Sequence, residues 1–101
     1  SRLVTHKSMV HAALCGEKTQ QRRNGVYAYP GEDFDLEGTK FELVDLRQQR
    51  LGDMTEQDAV AEGYSSLQDY KDVILRMHKG MQWDEGTSVW LHIFRRLASA
   101  G

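Results

Sequence analysis

The strict alternation of Asp33-Phe34-Asp35-Leu36, its interruption by Glu37-Gly38, and the return of apolar residues at Phe41, Leu43 and Leu46 commit the middle of this chain to a β-hairpin. Side chains two residues apart share a strand face, so Phe34 and Leu36 pair across the hairpin with Phe41 and Leu43. Such a face cannot stay in water, and a helix must cover it. Val44 disturbs the period, marking either burial on both faces or a bulge.

The helices are legible from their ends. Thr5–Cys15 reads as a short helix with Thr5 as cap, Met9, Val10, Ala13 and Leu14 as its apolar face, Cys15 as a small buried side chain, and Gly16 as a left-handed stop. Thr55 caps a second helix: Asp58 stands at the capping-box position, Met54 packs on Ala59, and Gly63 ends it. Ser66 and Asp69 repeat the pattern before the stripe Leu67, Tyr70, Ile74 and Met77 on a longer helix ending near Gly80. Val26–Tyr29 reads as a short strand and Val89–Phe94 as a strongly apolar last one. Trp83-Asp84-Glu85-Gly86 forms a loop lip before that strand, and Ala98–Gly101 reads as a frayed end.

These elements define an α+β chain whose short strands can curl into a barrel, with pairing order left open. Its 101 residues suffice for one core, so residues 1–101 are read as one domain. The formal charge of -2 hides an asymmetry, with five basic side chains and one acid in residues 1–30. An anionic partner is therefore expected to seek the first third. One cysteine excludes an intrachain disulfide framework and fits a reducing cytoplasm, the compartment assigned from sequence. Neither a signal peptide nor an 18-residue apolar run is present, so no membrane association is expected. The four histidines lack ligand spacing and the glycines form no phosphate-binding fingerprint, so no metal and no cofactor are expected.

Lys18, Arg22 and Arg23 bring one ammonium and two guanidinium groups into six residues, a combination suited to phosphate. Tyr27 and Tyr29 add aromatic faces on which bases can stack, or pack as ordinary strand residues.

The run Gly16-Glu17-Lys18-Thr19-Gln20-Gln21-Arg22-Arg23 resembles the opening signature of the ASCH family, small domains that share the barrel of the PUA RNA-binding domain. Lys18 matches the family's lysine, Thr19 the threonine after it and Arg23 the closing arginine. Tyr29-Pro30-Gly31, Leu51-Gly52-Asp53-Met54-Thr55, Ala61-Glu62-Gly63-Tyr64 and the Trp90–Phe94 strand follow in the family's order, extending the resemblance over residues 8–97. It implies a small PUA-like β-barrel with short helices packed at its ends.

The resemblance also implies two functions. Many members are RNA-binding modules, and here the RNA-binding residues would be Lys18, Gln21, Arg22, Arg23, Tyr27 and Tyr29 around a basic cleft, with RNA or a modified nucleoside as partner. Some small bacterial members hydrolyse the amide of an acylated cytidine with lysine, threonine and glutamate. Lys18 and Glu62 then become the catalytic candidates of a metal-independent hydrolase. Gln21 stands at the threonine position, and an amide cannot replace a hydroxyl nucleophile, which lowers the amidohydrolase reading. A protein-interaction domain is the third class.

Overall fold

The computed structural model describes residues 2–97. Helix α1 (Lys7–Leu14) leads into strand β1 (Gln20–Arg23), a hairpin of β2 (Asp33–Leu36) and β3 (Thr39–Arg50), a 3-10 turn (Leu51–Asp53), helices α2 (Glu56–Glu62) and α3 (Leu67–Met77), and strand β4 (Ser88–Arg96). All strand pairs are antiparallel, in the order β1-β4-β3-β2. The sheet curls into a half-barrel, the α+β architecture anticipated from the strand and helix pattern. Among the described residues, no helix is long and apolar enough to cross a membrane.

The hairpin closes through a two-residue turn. Glu37 (φ 51°) and Gly38 (φ 86°) both adopt the left-handed conformation that matches the twist of the flanking strands. Phe34 faces Phe41 as expected, but Leu36 faces Thr39 rather than Leu43, because so short a turn fixes the register. Val44 occupies a bulge at the register shift between Leu43 and Asp45, and its side chain points to solvent. The bulge keeps Leu43 inward before the strand resumes.

Phe34, Phe41 and Phe94 form a triad with ring centroids 5.6–5.8 Å apart. Leu3, Val4, Ala13, Leu36 and Leu43 complete this core, with Met9, Val10 and Leu14 of α1 packed against it. A second cluster joins Met54, Ala59 and Tyr70 with Tyr64, Leu67, Ile74 and Trp83.

Both later helices start as their sequences require. Asp58 N–H donates to the Thr55 hydroxyl at 3.1 Å, and Thr55 N–H donates to the Asp58 carboxylate at 3.0 Å. Gly63 (φ 105°) ends α2 in the left-handed region. Asp69 N–H donates to the Ser66 hydroxyl, and α3 stops at Met77, three residues before Gly80.

Four local expectations need correction. The α1 cap position is held by His6, not Thr5, and has no side-chain hydrogen bond. Cys15 lies exposed beyond the buried Ala12 and Ala13. Residues 26–29 join no ladder, because Tyr27 N–H donates to the His92 ring and Tyr29 N–H to the Glu32 carboxylate. Strand β4 runs beyond the expected apolar stretch, through Arg95 and Arg96. The frayed end expected at Ala98–Gly101 lies outside the described residues.

Replacing Thr55 with alanine removes one side of the reciprocal cap. Urea unfolding should show a loss of about 1 kcal/mol at unchanged m-value, and an unchanged midpoint would mean the cap contributes nothing.

Candidate functional site

Gly16 (φ 82°) turns the chain out of α1, and Thr19 N–H docks on the Ala61 carbonyl, so the segment entering β1 lies against the end of α2. This path carries Lys18 inward rather than to solvent, and it is only 1% exposed. Its ammonium donates to the Gln20 carbonyl and the Glu62 carbonyl, each at 2.7 Å, and to Glu62 Oε1 at 3.0 Å. All three of its hydrogens are thereby used.

The other Glu62 oxygen, Oε2, accepts from Arg22 Nη1 at 3.0 Å. Arg22 Nε donates to the Gln49 side chain at 2.9 Å, and Gln49 in turn reaches Asp58 at 3.4 Å. Arg22 Nη2 stands 3.5 Å from Asp58 Oδ1 but makes no hydrogen bond. Two cations and two carboxylates, drawn from β1, its entry and α2, thus balance one another in a nearly dry enclosure. Arg22 is 5% and Glu62 2% exposed.

The sequence pointed to a cationic surface at Lys18 and Arg22, and the structure corrects it: both are buried and paired. Burial also holds the Lys18 pKa below its ordinary value, against the opposing pull of Glu62.

Above Arg22 and Glu62 opens a cleft of about 370 Å³, bounded by α1, β1, the end of α2 and α3. Gln21, Arg22, Arg23 and Glu62 line it, facing Tyr64, Tyr70, Val73, Ile74 and Met77. The α3 stripe read as core therefore also forms the cleft's apolar wall. The wall makes it a concave site with one apolar side, facing polar residues that include Thr5, His6 and Ser8 of the segment entering and opening α1. Its charged lining is two arginines against Glu62 and Asp69, so the cleft is charge-balanced rather than basic. Burial and the nearby Glu62 raise the Tyr70 hydroxyl well above the ordinary phenol pKa, keeping it protonated.

Lys18 is not among the cleft-lining residues; it braces Glu62 from behind. Arg23 lines the cleft and donates through Nε and Nη2 to the Leu3 carbonyl at 3.1 and 2.8 Å. Tyr27 and Tyr29 lie outside it, both exposed.

His92 is fully buried beside Gln21, its partner across the β1–β4 ladder. Tyr27 N–H donates to its Nε2 at 3.1 Å, so that nitrogen is the acceptor, while Nδ1–H faces the Trp90 and Gln21 carbonyls at 3.1 and 3.3 Å. The ring is thereby neutral. Gln49 and Asp58 were also missed as site residues. Asp58 carried only a capping signal, and Gln49 none. Among the described residues, no group of three or more His, Cys, Asp or Glu is placed to hold a metal ion.

A curled antiparallel sheet with helices and a cleft between β1 and α3 makes a small α+β half-barrel domain. More narrowly, the fold is that of an ASCH domain: the crystal structure of the ASCH domain from Lactobacillus crispatus JV V101 superposes with a TM-score of 0.70. The match covers 88% of this chain and 70% of that one at 15% identity, a likeness of fold. No protein-family model matches the chain, and no curated protein matches it in sequence.

Two outcomes test this geometry. Glu62→Gln leaves two buried cations without their shared carboxylate and should cost about 3 kcal/mol in urea unfolding; a loss below about 1 kcal/mol would mean that the cluster is solvated. Burial depresses the His92 pKa below 6.5, so between 6.5 and the folded value the unfolded chain binds the extra proton. This contribution is fully present above pH 6.5 and is lost as pH falls through that window. Comparing wild type with His92→Asn at pH 7.5 and 5.5 should show the smaller pH response in the variant, and equal responses would remove His92 as the source.

Proposed function

We propose that the protein is an RNA-binding module that takes one nucleoside unit, base first, into the cleft. The observation that carries this reading is the charge-balanced, aromatic-walled cleft over Arg22, a buried guanidinium whose Nη2 makes no hydrogen bond and has only the 3.5 Å ion pair with Asp58. A buried donor without an acceptor is costly, and a carbonyl oxygen or ring nitrogen of a base satisfies it. Phosphate fits this interior less well, because Glu62 and Asp69 repel it. Tyr64, Tyr70 and Ile74 supply an apolar surface for a planar ring, and Gln21 adds an amide for its edge. The ASCH-like fold supports RNA as the source of the base, since many ASCH domains are RNA-binding modules. Arg23 remains the cation for the backbone at the cleft rim, while Lys18 and Glu62 hold Arg22 in place.

A hydrolytic use of the same site is the second reading, and the 3.0 Å contact between Lys18 and Glu62 favours it. In that chemistry water adds to the acyl carbonyl of a modified nucleoside, and the carbon–nitrogen bond breaks to give a carboxylate and an amine. Glu62 would take the water's proton and pass it to the leaving amine, with Gln21 orienting the acyl group. Against it stands the double engagement of Glu62: each oxygen already accepts from a cation, which makes it a poor base.

Filling the cleft tests the binding reading without touching the charged cluster. Ile74→Trp should remain folded yet lose the resonance shifts that nucleosides and short oligoribonucleotides induce at Gln21, Gly63 and Val73; shifts unaltered by the tryptophan would overturn the cleft. The hydrolytic reading requires product from an acylated-nucleoside panel, at a rate that falls at least about 100-fold in folded Glu62→Gln.

A further inference from the structure

Tyr27 stands just outside the cleft, and its surroundings are built rather than incidental. Its backbone N–H is held by the buried His92 ring at 3.1 Å. That ring also meets it edge-on, with centroids 6.2 Å apart. The Arg23 guanidinium lies 5.5 Å from the Tyr27 ring centre and is itself anchored on the Leu3 carbonyl. Leu3 and Val4 are buried in the main core, which fixes the path of the N-terminal segment and sets Arg2 5.9 Å from the same ring.

Both arginines stand near the outer limit of cation–π distance, about 6 Å, so neither is stacked tightly on the ring. The tyrosine remains 40% exposed. An exposed aromatic held by a buried imidazole, with two guanidinium groups loosely over its ring, is costly to leave in water and cheap to use: its ordering entropy is already spent. Neither arginine has a carboxylate partner within 4 Å among the described residues. Their charge is therefore available to an anion.

We infer that Tyr27 is a stacking platform for the nucleotide that neighbours the one in the cleft, with Arg2 and Arg23 holding the phosphate that links the two. This rests on the cleft reading and extends it to a ligand class: single-stranded RNA rather than a free nucleoside or a duplex. Arg23 joins the two parts, since it both lines the cleft and flanks the tyrosine. A paired base keeps its faces covered by its own neighbours and cannot stack on a side chain, which excludes duplex. Phosphate belongs here rather than in the cleft, because here no carboxylate opposes it.

The test uses a fluorescein-labelled octaribonucleotide of mixed sequence, single-stranded or annealed to its complement, alongside free nucleosides. Tyr27→Ala should weaken single-stranded octamer binding on the order of ten-fold, leave nucleoside-induced shifts in the cleft unchanged, and be rescued by Tyr27→Trp. Arg2→Ala should flatten the dependence of log affinity on log salt by about 0.7. Wild-type octamer affinity in Tyr27→Ala, with binding still lost in Ile74→Trp, would overturn the platform and leave the cleft standing. Octamer binding that falls in Tyr27→Ala but ignores Ile74→Trp would overturn the cleft, and with it the adjoining arrangement. Equal affinity for single strand and duplex would overturn stacking.

Discussion

Glu62 is the residue around which the cleft is arranged, because its two oxygens take one cation each. A carboxylate, an ammonium and a guanidinium cannot be withdrawn from water separately at acceptable cost, and together they can. The last residue of α2 is thereby bound to β1 and its entry segment. Gly63 follows at once in the left-handed conformation, and a methyl group there would stand 3.2 Å from Met9 Sδ and 3.7 Å from Lys18 Cβ. Glu62 therefore stands at a junction where α1, α2 and β1 approach closely.

A buried ion cluster is a poor device for stability alone, since apolar residues of similar volume often do as well. What it does well is orientation. Lys18 has every hydrogen engaged and cannot swing; Glu62 is thereby fixed, and Arg22 is fixed by Glu62 and Gln49. The outcome is a buried, rigid guanidinium at the cleft floor whose Nη2 has an ion pair with Asp58 at 3.5 Å but no hydrogen bond. Charges drawn inside leave Arg23 and Arg2 among the cations at this end of the molecule that lack carboxylate partners among the described residues. The molecule in this way separates a charge-balanced cleft from a positively charged rim.

Much of the scaffold could be read directly because the responsible forces act over a few residues. Thr55 and Asp58 cap each other across one helical turn, Glu37-Gly38 closes the hairpin, and Phe34 meets Phe41 because alternation and turn length leave little choice. Misreadings occurred where a distant partner overrode a local preference. Val26–Tyr29 has strand-like composition, but His92, 65 positions away from Tyr27, captures the backbone that a neighbouring strand would need. The stripe on α3 has the spacing of a core helix, yet part of it faces the cleft, and periodicity cannot tell a closed core from an open one.

By itself, the order of residues determined the hairpin, the capped helices, the apolar last strand and the concentration of cations near the N-terminus, because short-range sterics, capping and alternation decide each of these. Tertiary structure alone decided which charges face water. Lys18 and Arg22 look like solvated surface groups until the fold carries Glu62, 44 and 40 positions further along, to within 3.0 Å of both. Desolvation and pairing depend on distance in space, and no local pattern encodes that distance.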